Sequence, residues 1–129
     1  MRRLFLILAI FIALPILLSA CSSTKDPAAQ AVEKYITALS GKDANALSLL
    51  SCADWEPNAK LELDSFQAVT TRLQGLQCAL SGTDGGTSLV QCQGKLLATY
   101  NGEDQTFDLS ARTYKVVQQG GEYLVCGYK

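Results

Sequence analysis

The hydrophobic period changes once along this chain, and that change limits the fold more than any other feature. Up to about residue 76, apolar residues recur at helical spacing; beyond it they alternate, and glycines punctuate the segments. Helices that precede strands, rather than alternate with them, predict an α+β domain with its N-terminal helices on one face of an antiparallel sheet.

Local signals place the elements. Asp26-Pro27 reads as a helix start, because a carboxylate can accept from free backbone N–H groups and proline suits the first helical position. Val32, Tyr35, Ile36 and Leu39 then form one helical face, with Gly41 as its C-cap. Asp43 can cap a second, shorter helix carrying Leu47, Leu50 and Cys52. A third starts near Glu56-Pro57, with a stripe at Leu63, Phe66, Val69, Leu73 and Leu76 and Gly75 near its end. Four antiparallel strands follow. Gln77–Leu80 is short, and residues 81–87 form a turn by composition. Ser88–Tyr100 is longer and ends at Asn101-Gly102, a strong hairpin signal. Thr106–Gln118 changes its apolar parity partway, which predicts a β-bulge near Arg112-Thr113 and a bent sheet. After Gly120-Gly121, Tyr123–Tyr128 is the last strand.

The first twenty residues are unlike the rest. Arg2 and Arg3 precede an apolar run from Leu4 to Leu18, which at fifteen residues is short of the roughly 20 that span a bilayer. A basic start, an apolar middle and the small residues Ser19-Ala20 make a secretory signal. Leu18-Ser19-Ala20-Cys21 resembles the lipobox of bacterial lipoproteins. The resemblance implies cleavage before Cys21 and lipid on its thiol. Residues 1–20 are then a cleaved signal peptide, 21–26 a short lipidated tether and 27–129 the folded domain. The expected partner is a membrane, reached through the lipid, with the domain outside the cytoplasm at the cell surface or in the periplasm.

Without residues 1–20 the chain carries nine Lys+Arg against twelve Asp+Glu. No basic cluster is present, so nucleic-acid binding is not expected. Five cysteines are an odd number for an exported chain. With Cys21 lipidated, Cys52, Cys78, Cys92 and Cys126 remain for two disulfides. Cys78 and Cys92 are equally far from Gly85, the centre of a turn, so they can face each other across a hairpin; Cys52 then pairs with Cys126 by elimination. The sequence leaves two other connectivities open, Cys52–Cys78 with Cys92–Cys126 and Cys52–Cys92 with Cys78–Cys126.

The segment Ala31–Leu39 followed by Gly41-Lys42-Asp43, and the closing stretch from Val116-Val117 through Gly120-Gly121 to Cys126, resemble the opening helices and the last hairpin of the nuclear-transport-factor-2-like (cystatin-like) superfamily. The resemblance implies helices folded over a bent sheet, enclosing a cone. Many members have a short strand between the second and third helices, for which this sequence shows no strand pattern. Some enzymes of the superfamily place an Asp base and a Tyr donor in the cone; Tyr35, Tyr100 or Tyr114 could supply the donor here.

Chemistry-bearing residues are few. The chain has no histidine, which excludes Ser-His-Asp and Cys-His catalysis. The cysteine spacing contains no metal-binding pair, and no metal or cofactor is expected. Asp54-Trp55-Glu56 is the most conspicuous polar-aromatic cluster. Asp54 reads as a cap and Glu56 as a dipole partner of the third helix, while Trp55 could line a pocket. Tyr35, Phe66, Tyr100, Phe107, Tyr114 and Tyr123 read mainly as core. The candidate pocket residues are Trp55, Phe66, Tyr100 and Tyr114, and no residue is assigned a catalytic role. The expectation is a non-catalytic, lipid-anchored module that binds a small apolar ligand or an envelope protein. The alternative is an isomerase or hydratase, which requires a carboxylate buried in a cavity beside a tyrosine.

Overall fold

A computed structural model describes residues 24–129; the signal segment and Cys21 lie outside the described residues. Three helices come first: α1 (Pro27–Ser40), α2 (Ala44–Leu49) and α3 (Glu56–Ser65). Five strands follow: β1 (Thr70–Asp84), β2 (Thr87–Tyr100), β3 (Glu103–Asp108), β4 (Thr113–Gln119) and β5 (Glu122–Tyr128). A 3₁₀ turn, Leu109–Ala111, joins β3 to β4. The fold class is the expected α+β, with five antiparallel strands instead of four.

α1 is set by its ends and its face. Asp26 accepts from the N–H groups of Ala28 (2.8 Å) and Ala29 (3.3 Å), and Pro27 fills the first helical position. The left-handed residue after the helix is Lys42, not Gly41. Val32, Tyr35, Ile36 and Leu39 are buried against the sheet. Each contributes roughly 1.5–3 kcal/mol of hydrophobic stabilisation, which is what holds the helix in place.

Two sequence expectations are corrected here. The stripe Leu63–Phe66–Val69–Leu73–Leu76 is not one helix: α3 ends at Ser65, and Leu73 and Leu76 lie on β1. From Val69 into β1 the inward positions are first odd (Val69, Thr71, Leu73) and then even (Leu76, Cys78). The register shift between Gln74 and Gln77 causes the change. A bulged strand thus produces a step of three that imitates helical spacing. The second correction concerns residues 81–87, which are mostly strand, with the turn confined to Gly85-Gly86.

The sheet order is β1-β2-β4-β5, and β3 pairs with the other half of the β2 edge that β4 uses. β4 pairs with Thr87–Gln91 and β3 with Lys95–Tyr100. The parity change expected as a bulge near Arg112 is therefore a full break: the chain leaves β2 at Asp108, makes the 3₁₀ turn and rejoins it at Thr113. Beside this break β2 meets the irregular part of β1, between Gln74 and Gln77. Gly94 has φ +105°, and a Cβ built on it would lie 2.5 Å from the Gln74 carbonyl oxygen and 2.6 Å from the Gly75 carbonyl. Only glycine allows the two strands to approach so closely.

A single parallel bridge, Ser51 with Val125, ties the α2–α3 connection to β5, with hydrogen bonds Cys52 N–H to Val125 O (2.9 Å) and Val125 N–H to Leu50 O (2.8 Å). It lies between the second and third helices, where the sequence shows no strand pattern. Cys52 is bonded to Cys126 beside it, and Cys78 is bonded to the directly opposed Cys92. A second register shift, between Leu80 and Gly82, brings Cys78 opposite Cys92. Two disulfides point to an oxidising environment outside the cytoplasm. No helix among the described residues is long and apolar enough to cross a membrane.

Candidate functional site

Between α3 and the sheet lies a cavity of about 890 Å³, within the size range of small-molecule sites. Its apolar wall is Phe66 from the end of α3, Phe107 from β3, and Leu96 and Ala98 from β2. Phe66 and Phe107 meet edge to face at 5.7 Å. A polar group lines another part of the wall: Trp55, Glu62, Arg112, Tyr114 and Tyr128.

Each polar side chain is placed by a different element. Glu62 is on α3, one residue before the buried Leu63, and its side chain is 12% exposed. Arg112 follows the 3₁₀ turn, so the break in the sheet edge is what supplies it. Its guanidinium donates through Nη1 to Glu62 Oε1 and lies over the Tyr128 ring, 4.0 Å from the centroid. The second oxygen, Glu62 Oε2, is buried without a hydrogen-bond partner among the described residues. Tyr128 packs edge to face on Tyr114 (5.7 Å) and on Trp55 (5.2 Å). The Trp55 indole N–H donates to the hydroxyl of the fully buried Tyr35 (3.1 Å).

Burial is the largest cause of the raised tyrosine pKa values, and the negative charge of Glu62 adds to it. Tyr114 is pushed up from 10.0 to about 12, although the Arg112 charge opposes the rise. Tyr35 and Tyr128 are also raised. For Arg112 burial acts to lower the value, but the hydrogen bond and charge of Glu62 outweigh it and raise it. A group with a raised folded pKa holds its proton more tightly than the unfolded chain does. Its stabilising contribution is therefore complete below pH 10 and is lost as pH rises through about 12. Urea midpoints measured from pH 9 to pH 12 should fall across the upper part of this range, and Tyr114→Phe should make the fall shallower.

Among the sequence candidates, Trp55, Phe66 and Tyr114 line the cavity. Tyr100 does not: it is 61% exposed and sits at the last β2–β3 pair, where β3 is exposed along its whole length. The expected capping role of Asp54 is also absent. Trp55 is the N-cap residue of α3, no side chain caps it, and Glu56 pairs with Lys60 in the first turn. Sequence reasoning missed Glu62, Arg112 and Tyr128. Fifty positions separate Glu62 from Arg112, and neither stands out from ordinary surface charge in the sequence. Among the described residues, no group of three or more His, Cys, Asp or Glu is placed to hold a metal ion.

No protein-family pattern matches the chain, and no curated protein matches it in sequence. Solved structures do. A candidate ketosteroid isomerase from Shewanella frigidimarina aligns with TM-score 0.55 at 11% identity, covering 80% of this chain and 93% of that one. The protein Aln2 from a Streptomyces species aligns with TM-score 0.54 at 13% identity, over 79% and 85% of the two chains. A nuclear-transport-factor-2-like protein with a cystatin-like fold from Novosphingobium aromaticivorans gives TM-score 0.52 at 13% identity, over 79% and 77%. At these identities the likeness speaks for fold alone: the domain has the nuclear-transport-factor-2-like, cystatin-like fold.

Proposed function

We propose that this chain is a lipid-anchored, extracytoplasmic binding module that takes a small, largely apolar ligand into the cone between α3 and the sheet. The observation that carries the reading is the cavity itself. A wall of Phe66, Phe107, Leu96 and Ala98 faces about 890 Å³ of space that no side chain fills, and apolar cavities of this size with a few converging polar groups are characteristic of ligand sites. The lipobox at Leu18-Ser19-Ala20-Cys21 supports the anchor, and the two disulfides are in keeping with export.

Trp55 is the single tryptophan of the chain and lines the cavity, so its emission reports on occupancy. Titration with dodecanol should shift that emission and saturate at one molecule per chain. Ala98→Phe, which puts a ring into the cavity from β2, should weaken binding by roughly tenfold or more, about 1.4 kcal/mol, while the domain stays folded. Unchanged affinity in that variant would place the ligand elsewhere. The anchor is tested separately by intact mass of the membrane-extracted protein, which should begin at Cys21 with added acyl mass.

The isomerase-type alternative draws on one specific feature, a carboxylate in the cavity beside tyrosines. Glu62 would have to be the base. Its ion pair with Arg112 weighs against this, because Oε1 is already occupied by the guanidinium.

A further inference from the structure

Resting on the cavity reading, we propose that the Glu62–Arg112 pair selects the head group of the ligand, favouring a neutral hydroxyl over a carboxylate or an ammonium. Arg112 is the one cation among the described residues that line the cavity. Its side chain is 37% exposed; Nη1 donates to Glu62, and the Tyr114 and Tyr128 hydroxyls also interact with the guanidinium. The Tyr128 ring under its face steadies the guanidinium. The guanidinium is therefore held in place, and with five N–H donors and a partly exposed side chain it can still donate to an acceptor oxygen in the cavity.

Glu62 supplies the complementary half. One of its oxygens holds Arg112, and the other is buried without a partner among the described residues. A buried polar atom left unpaired is costly, so a hydrogen donated to Oε2 has a strong claim on the site. A hydroxyl meets both needs, accepting from Arg112 and donating to Glu62. An ester or ketone oxygen can only accept. A carboxylate accepts too, but the Arg112 charge is already neutralised, and a second anion would face Glu62 with no spare cation among the described lining residues. An ammonium offers no acceptor and would lie against the guanidinium. The apolar body of the ligand would rest on Phe66, Phe107, Leu96 and Ala98.

Dodecanol, methyl dodecanoate, dodecanoate and dodecylammonium share one chain length and differ at the head. Titrated into the folded domain at neutral pH with Trp55 emission as the readout, dodecanol should bind tightest. Dodecanoate and dodecylammonium should each be weaker by roughly tenfold. Glu62→Gln removes the negative charge and leaves Arg112 unbalanced, so dodecanoate should overtake dodecanol in that variant. A purely structural role for Glu62 would weaken all four compounds alike. Dodecanoate binding as well as dodecanol in the unmutated protein overturns the selection, and that comparison needs no variant to fold. A folded Glu62→Gln with its ranking unchanged overturns it as well. Silence of Trp55 toward all four compounds removes the cavity reading, and the selection with it.

Discussion

Replacing Gly94 with alanine is expected to destabilise the domain by about 4 kcal/mol, the sum of an unfavourable positive φ and a steric overlap that backbone must absorb. The new methyl would lie 2.5 Å from the Gln74 carbonyl oxygen, and its other near neighbours are also backbone, so no side chain can swing aside. The strands would have to part where β1 is bulged. For a domain of this size the loss corresponds to a fall in Tm of roughly 20 °C. Gly102→Ala is the control. Gly102 also has positive φ, +81°, but nothing lies within 4 Å of its added Cβ, so only the smaller conformational cost of about 1 kcal/mol applies. Urea unfolding of the two variants side by side separates close approach from backbone strain. Equal losses would mean that the close approach of Gly94 to Gln74 and Gly75 adds nothing beyond backbone strain.

The second large effect comes from the link between Cys52 and Cys126. The two residues are 74 positions apart, so the bond closes most of the folded domain into one loop. In the chain-entropy account, removing it as the pair Cys52→Ala and Cys126→Ala costs about 4 kcal/mol. The loss should also reach the cavity. The Cys52 carbonyl accepts from the Trp55 backbone N–H at 2.9 Å, and the Trp55 ring packs against Tyr128. Without the link, the Trp55 side of the wall is tied to β5 by the Ser51–Val125 bridge and by packing on Tyr128. The double variant should therefore unfold at lower urea and, while still folded, bind dodecanol more weakly. The equivalent change at Cys78 and Cys92, 14 positions apart, opens a smaller loop and should cost about 3 kcal/mol with little effect on binding.

Much of the fold can be read from local chemistry. The Asp26-Pro27 start, the Val32–Leu39 face and the Asn101-Gly102 turn are each decided by residues close in sequence, and so is the α+β class that follows from their order. Two stretches were not legible, for the same reason. The register shift at Gly75 gives β1 an apolar spacing that a helix shares, and the 3₁₀ turn at Leu109–Ala111 produces a parity change that a bulge would also give. Local pattern cannot choose between such alternatives; pairing with β2 does. The site divides in the same way. Trp55, Phe66 and Tyr114 are conspicuous by residue type, and the fold brings them to one cavity. Tyr100 is just as conspicuous and sits on the same β2 parity as Leu96 and Ala98, but it lies at the turn, outside the cavity lining. Glu62 and Arg112 are unremarkable as residues and gain significance only from a contact between α3 and the break in the sheet edge.

Whether the cone between α3 and the sheet holds a ligand can be decided by calorimetry with dodecanol at two temperatures. One molecule should bind per chain, with a heat that becomes more exothermic on warming, the negative heat-capacity change of apolar surface leaving water. Both should be lost in Ala98→Phe. No saturable heat, or several molecules per chain with the same heat in Ala98→Phe, would contradict a ligand site in the cone.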